Sequence, residues 1–255
     1  MFIPVGDAKI FATTFGSPAN PAILGIGGWI GSWELWAEPF SFLSGQWHTI
    51  AYDHRGSGAT LAPVETISFD RLVEDVFVVL DTYQVNRTLL AAESAGATIA
   101  LGAALRYPQR ISGLVIVDGF YFQDTPESQD AFFAGLKSNY AQTLDWFVQA
   151  CVPEVDCEPI KRWGRQILDR ATAEAALALY RVPGSVDLRP KLNRITQPTL
   201  ILHGEADSLV PLSSAQWLAQ TLPAAKLVTL PGAGHVPTMT QPQTVAQEIM
   251  RFFGG

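Results

Sequence analysis

The sequence predicts one α/β unit, with a mostly parallel central sheet, helices on both faces and a helical insertion over residues 120–187. Two observations carry this. Short apolar or β-branched runs alternate with helix-spaced patterns, as βα units feeding a parallel sheet require. Between residues 120 and 187 the alternation stops, and helix-period sets follow one another without a convincing strand. The 255 residues are 48% apolar and 16% charged, enough for one well-cored unit without a second folding unit.

Strands are expected over residues 9–14, 22–26, 48–52, 88–92, 114–117, 199–202 and 227–230. Residues 69–83 read as a helix, because Leu72, Val73, Val76, Val79 and Leu80 fall on one face. Residues 98–107 read as a second, with Ile99, Leu101 and Leu105 ahead of the stop at Pro108. In the insertion, Leu144, Phe147, Val148 and Cys151 form one helical stripe, and Ile160, Trp163 and Ile167 another. Residues 120–147 also hold eight aromatic side chains. Aromatics at helical spacing ordinarily fill a core; if the strand ends below carry chemistry, some of these line a pocket under a lid. The expected division is therefore a core of 1–119 and 188–255 with a cap of 120–187.

Composition excludes several classes of function. The chain has 17 basic and 24 acidic side chains, a formal net charge of −7, and no Lys/Arg cluster of the kind that phosphate backbones need, so nucleic acid is not an expected partner. No run reaches the ~18 apolar residues of a membrane span. The first residues lack a basic segment followed by an apolar one, so a cytoplasmic protein is expected. The two cysteines, Cys151 and Cys157, form no CxxC and have no neighbouring His pair, which disfavours a structural zinc; two thiols are the simpler reading, with a local disulfide as the alternative.

Chemistry concentrates at three strand ends. In Ala92-Glu93-Ser94-Ala95-Gly96, a serine sits where an apolar strand turns abruptly into a helix, flanked by small residues that allow close packing. A serine hydroxyl needs a base, normally a histidine oriented by a carboxylate. Of the four histidines, only His235 lies in a Gly-rich loop late in the chain, Pro231-Gly232-Ala233-Gly234-His235. The strand ending at His203-Gly204-Glu205-Ala206-Asp207 delivers a carboxylate, giving the chain order Ser94, Asp207, His235. Gly25-Ile26-Gly27-Gly28-Trp29-Ile30, with Asp53 after the next strand, invites a dinucleotide-binding reading. It fails because Ile30 stands where the third glycine belongs and, with Trp29, crowds the approach to a pyrophosphate.

Taken in order, Gly27-Gly28-Trp29, Asp53-His54-Arg55-Gly56-Ser57-Gly58, the turn at Ser94, Gly204 to Asp207 and Gly234-His235 resemble the landmarks of the α/β-hydrolase superfamily. The resemblance spans almost the whole chain. It implies Ser94 as nucleophile, His235 as base and Asp207 as acid, with Asp118 as the fallback acid and Glu205 a weaker rival. It further implies an oxyanion hole formed by the N–H groups of Ala95 and Trp29, or of Gly28 should the register differ by one. Many relatives have His-Gly where this chain has Gly27-Gly28. No metal or organic cofactor is implied. The expected activity is hydrolysis of a small, largely apolar ester or lactone acyl substrate. The alternatives are a ligand-sensing or partner-binding protein with slow turnover and a C–C hydrolase or lyase; a protein partner stays undefined. Glu93 reads as a structural residue of the turn or a buried carboxyl of raised pKa.

Overall fold

The computed structural model describes residues 1–254. Its eight strands are β1 Phe2–Val5, β2 Ala8–Phe15, β3 Ala22–Ile26, β4 His48–Tyr52, β5 Thr88–Glu93, β6 Ile111–Val117, β7 Thr199–Gly204 and β8 Ala225–Leu230. They form one sheet in the order β1-β2-β4-β3-β5-β6-β7-β8, antiparallel for β1/β2 and β2/β4 and parallel elsewhere. The sequence pattern shows seven of these strands. It misses β1, which contains Pro4; on an edge strand the missing N–H is tolerated, because no neighbour needs it.

The helices are α1 Ala37–Leu43, α2 Phe69–Thr82, α3 Gly96–Arg106, α4 Ala131–Ser138, α5 Tyr140–Cys151, α6 Glu158–Leu168, α7 Ala173–Tyr180, α8 Leu212–Thr221, α9 Pro237–Thr240 and α10 Pro242–Phe253. The central strands are buried on both faces, and their side chains alternate between two cores. Leu24, Ile26, Leu90, Ala92, Leu114 and Ile116 join the layer built with α2, α3 and α8. Ile23, Leu89, Ala91, Val115, Leu200 and Leu202 join the layer built with α1 and α10. Helix α2 starts at Ser68, whose side chain accepts from the Arg71 N–H, and buries the stripe Leu72, Val73, Val76, Val79 and Leu80.

This topology gathers the chemistry. Strands β3, β5, β6 and β7 are parallel neighbours, so the loops after them leave from one edge of the sheet, the side where open α/β sheets bind ligands. Ile26 and Ala92 are register partners on β3 and β5, which brings the loop at Gly27–Trp29 beside the turn at Ser94. Between β6 and β7 the described residues contain no strand; α4 to α7 fill that stretch. No described helix is long and apolar enough to cross a membrane.

Candidate active site

Ser94 follows β5 directly and has φ +49°, a left-handed conformation that costs a non-glycine residue of order 1–3 kcal/mol. The surrounding backbone holds it there. The Ser94 N–H donates to Val117 O at 2.9 Å, and its carbonyl accepts from Ala97 N at 3.0 Å and Phe120 N at 2.9 Å. A Cβ on Gly96 would lie 2.5 Å from Gly27 O, which explains why only glycine fits two residues after the serine.

Ser94 Oγ lies 2.8 Å from His235 Nε2, and His235 Nδ1 lies 2.8 Å from Asp207 Oδ2. A carboxylate can only accept here, so Nδ1 carries a proton; in the neutral ring Nε2 then accepts from the serine hydroxyl, and in the charged ring it donates to it. Asp207 is anchored in turn by its other oxygen, which accepts from Leu209 N at 2.8 Å and Val210 N at 3.1 Å. His235 is held by its backbone N–H, which donates to Cys151 O at 2.9 Å, while Gly234 N–H donates to Glu154 Oε1 at 2.7 Å. The C-terminal end of α5 and the segment after it therefore clamp the histidine loop, a contact between distant segments that no local sequence pattern signals.

The charges here act on one another. Burial alone would depress the His235 imidazole, but the hydrogen bond and charge of Asp207 raise its pKa to about 9. For Asp207, burial is outweighed by His235 and the two amides, and its carboxyl falls below the usual range. Asp118 is fully buried, has φ +46°, and accepts from Gly204 N at 2.8 Å. Its Oδ1 lies 3.2 Å from His203 Nδ1, while His203 Nε2 donates to Val210 O at 3.1 Å. The proton on Nε2 leaves Nδ1 as an acceptor, and burial pushes Asp118 well above the carboxylate range and His203 below the imidazole range; both directions favour a neutral pair. Asp118 is thus engaged behind Asp207, not on His235. Glu205 is exposed and accepts from Thr229 Oγ1.

Asp118, His203 and Asp207 each offer a ligand atom within 4.8 Å of the others, a spacing that suits a metal ion. Their chemistry argues against that use, since Asp207 already accepts from His235 and two amides and His203 Nε2 donates to a carbonyl.

The loop after β3 supplies the opposite wall. Neither the Trp29 nor the Ala95 N–H donates to an acceptor among the described residues, whereas the Gly28 N–H lies beside the Glu93 carboxyl and lowers its pKa. Gly28 O lies 3.0 Å from His54 Nε2 and accepts from Gly31 N at 3.1 Å. Because a trans peptide points its C=O and N–H in opposite directions, fixing Gly28 O also fixes the direction of the Trp29 N–H. Asp53 braces the same loop, accepting from Trp33 N and Ala59 N at 2.7 Å each. Arg55 forms a buried two-pronged pair with Asp75, at 2.7 and 3.1 Å. No local sequence pattern marks the role of His54, whose contact is with a residue 26 positions away.

Two cavities meet at Ser94 and His235. The smaller, about 60 Å³, is lined largely by buried apolar side chains such as Ile30, Leu35, Ile167, Val236 and Met239, with Glu93 among them. The larger, about 400 Å³, reaches the surface past Trp146 and Gln129 and carries the polar cluster Gln123, Asp130 and Tyr180. Trp29 and Phe147 border both; their rings pack edge to face with centroids 5.3 Å apart, and the Trp29 indole donates to Ala176 O at 2.8 Å. Cys151 borders the smaller cavity; both cysteines are free thiols, and burial, with the carboxylates nearby, pushes the Cys151 thiol well above its usual range.

With this arrangement in view, the family model described as serine aminopeptidase, S33, matches residues 40–240. The chain belongs to this family of α/β-hydrolases. Among its relatives is the pimeloyl-[acyl-carrier protein] methyl ester esterase of Nitrosomonas europaea, 29% identical over 252 residues, covering 92% of this chain and 96% of that one. The 3-oxoadipate enol-lactonase 2 of Acinetobacter baylyi is 24% identical over 243 residues, covering 93% and 90%. Among solved structures, a hydrolase from Pseudomonas aeruginosa superposes with a TM-score of 0.92 at 26% identity, covering 100% of this chain and 98% of that one. This α/β-hydrolase is therefore an enzyme of a family whose named members include esterases and lactonases.

Proposed function

We propose that the protein is a serine hydrolase that cleaves a small, largely apolar carboxylic ester or lactone through an acyl-enzyme on Ser94. The observation that carries this reading is the continuous Asp207–His235–Ser94 hydrogen-bonded chain at the junction of two cavities. Ser94 Oγ attacks the carbonyl carbon as His235 Nε2 takes its proton, and Asp207 stabilises the imidazolium that results. The Trp29 and Ala95 N–H groups hold the oxyanion, aided by the positive end of α3; one such donor is typically worth about 10² to 10³ in rate. His235 then protonates the leaving alcohol; a water next gives a proton to the same nitrogen as its oxygen adds to the acyl carbon, and that proton passes to Ser94 Oγ as the acyl C–O bond breaks and the carboxylic acid leaves.

The helices between residues 131 and 180 act as the cap of the site. The acyl part occupies the smaller, buried cavity, because it stays bonded to Ser94 while the leaving alcohol departs and water enters through the larger, open one. The ester and lactone chemistry named for the relatives supports this reading. The test is hydrolysis of p-nitrophenyl butyrate by the wild type and Ser94→Ala, with intact-mass analysis after a serine-reactive phosphonate. Loss of turnover and of the adduct together in the variant is expected; equal rates would remove Ser94 from the reaction.

A further inference from the structure

The acyl cavity contains one group that its apolar walls do not explain. Glu93, the last residue of β5, is 1% exposed and lines the smaller cavity, yet its Oε2 accepts no well-formed hydrogen bond from the protein, the Gly28 N–H only lying beside the carboxyl. An unmade hydrogen bond on a buried carboxyl costs free energy, and such groups are retained where a ligand completes them. The carboxyl also stands close to the reacting serine. A methyl placed on Gly28 would lie 3.1 Å from Ser94 Cβ and 3.3 Å from Glu93 Oε2, tighter than ordinary contact, so the two side chains converge on the same spot beside Gly28.

Resting on acyl transfer at Ser94, we propose that Glu93 determines specificity for the acyl half of the substrate: the smaller cavity takes a short acyl group bearing a hydroxyl one or two carbons from its carbonyl. Apart from Glu93, Ser94 and His235, the lining is apolar or a neutral thiol, so a plain alkyl chain leaves Oε2 unpaired and a longer polar chain has no second partner. The cavity volume of about 60 Å³ suits a chain of a few heavy atoms, given that one water occupies about 10–15 Å³ on a comparable measure. A hydroxyl is favoured over an ammonium because it donates as well as accepts. Burial pushes Glu93 up to about 7, against the opposing pull of His235 and Gly28, so near neutrality both its protonated and ionised forms are present and only a hydroxyl matches both.

The experiment compares kcat/KM for p-nitrophenyl esters of butyrate, 2-hydroxybutyrate, 3-hydroxybutyrate and 2-aminobutyrate with the wild type, Glu93→Gln and Glu93→Leu. The wild type is expected to favour one hydroxy ester over butyrate by roughly tenfold or more. Glu93→Gln, which keeps a hydrogen-bonding head, retains most of that ratio, and Glu93→Leu brings it to about one. A wild-type ratio at or below one, an unchanged ratio in Glu93→Leu, or a preference for the amino ester overturns the proposal. Binding is measured separately by calorimetry on Ser94→Ala, where 3-hydroxybutyrate or 2-hydroxybutyrate is expected to bind more tightly than butyrate, and equal binding overturns the assignment. Should the wild type turn over none of the esters, the hydrolase reading fails while the calorimetry still decides the role of Glu93.

Discussion

In the sheet, successive residues of β3, β5 and β6 point alternately into two cores, whereas α4 to α7 pack on the sheet edge and on one another largely through aromatic rings, with ion pairs at their outer surface. Trp29, Phe132, Phe147 and Tyr180 pack with centroids 5.2–6.4 Å apart across that boundary. Arg165 pairs with Asp145, and Arg181 with Glu127, on the outer surface of the helices. The sheet half has surface pairs too, such as Arg110 with Asp81, but one of its pairs, Arg55 with Asp75, is almost fully enclosed. Of the four non-glycine residues in the left-handed region, Gln84 and Asp156 lie in exposed turns, whereas Ser94 and Asp118 sit on buried strand ends, where the surroundings over-determine the strain. The sheet half thus carries Ser94, Asp207 and His235, and the helical half shapes the space in front of them. The clamp from Cys151 O and Glu154 to the histidine loop joins the two halves.

The largest effect expected on that contrast comes from Asp207→Asn, which disturbs the His235 tautomer and should lower kcat on p-nitrophenyl butyrate by about 10⁴. Asp118→Asn should cost far less, since Asp118 faces Gly204 and His203; equal losses would mean that Asp118 shares the role of acid. Next comes stability. Asp75→Asn strands a buried guanidinium and should lower the free energy of urea unfolding by about 3–5 kcal/mol. His54→Ala frees the Gly28 carbonyl and, on the proposed oxyanion role of the Trp29 N–H, should reduce kcat by roughly 10- to 100-fold with little change in KM, because such a donor acts mainly in the transition state. A matching rise in KM would instead mark it as a ground-state contact.

For pH, His235 must be neutral to act as base, and its proton is held to about pH 9 in the free enzyme. Below that value kcat/KM should rise with pH, by up to tenfold per unit, and level off near pH 9; a plateau already reached at pH 7 would show that the imidazole is not held in this way. The smallest effect expected is that of Arg181→Ala, which removes an exposed pair of the helical half and should leave the urea midpoint within error. A clear drop there would show that the helices depend on surface charge more than their ring packing suggests.

The order of Ser94, Asp207 and His235, each after an apolar run and among small or glycine residues, is legible in the chain because a sharp strand-to-helix turn restricts which residues can flank it. The helical character of residues 131–180 is legible for a similar reason, since side-chain period follows local backbone geometry. Strand β1 is not, because Pro4 breaks its pattern and only its place at the sheet edge makes it tolerable. His54 reads as one more turn residue, and His203 as a strand end; each gains its place from a partner far away in the chain, Gly28 for one and Asp118 for the other.

By itself, then, the sequence determined the alternation of strands and helices, the helical character of residues 131–180 and the sharp turn that carries Ser94, all of which follow from local sterics and periodicity. Only tertiary structure decided that Asp207 rather than Asp118 faces His235, that Gly28 turns its amide toward Glu93, and that one carboxyl oxygen is left unpaired in an apolar cavity. Distances between strand ends, and the loss of water around a charge, are set by packing among segments dozens of residues apart, and no local pattern encodes them.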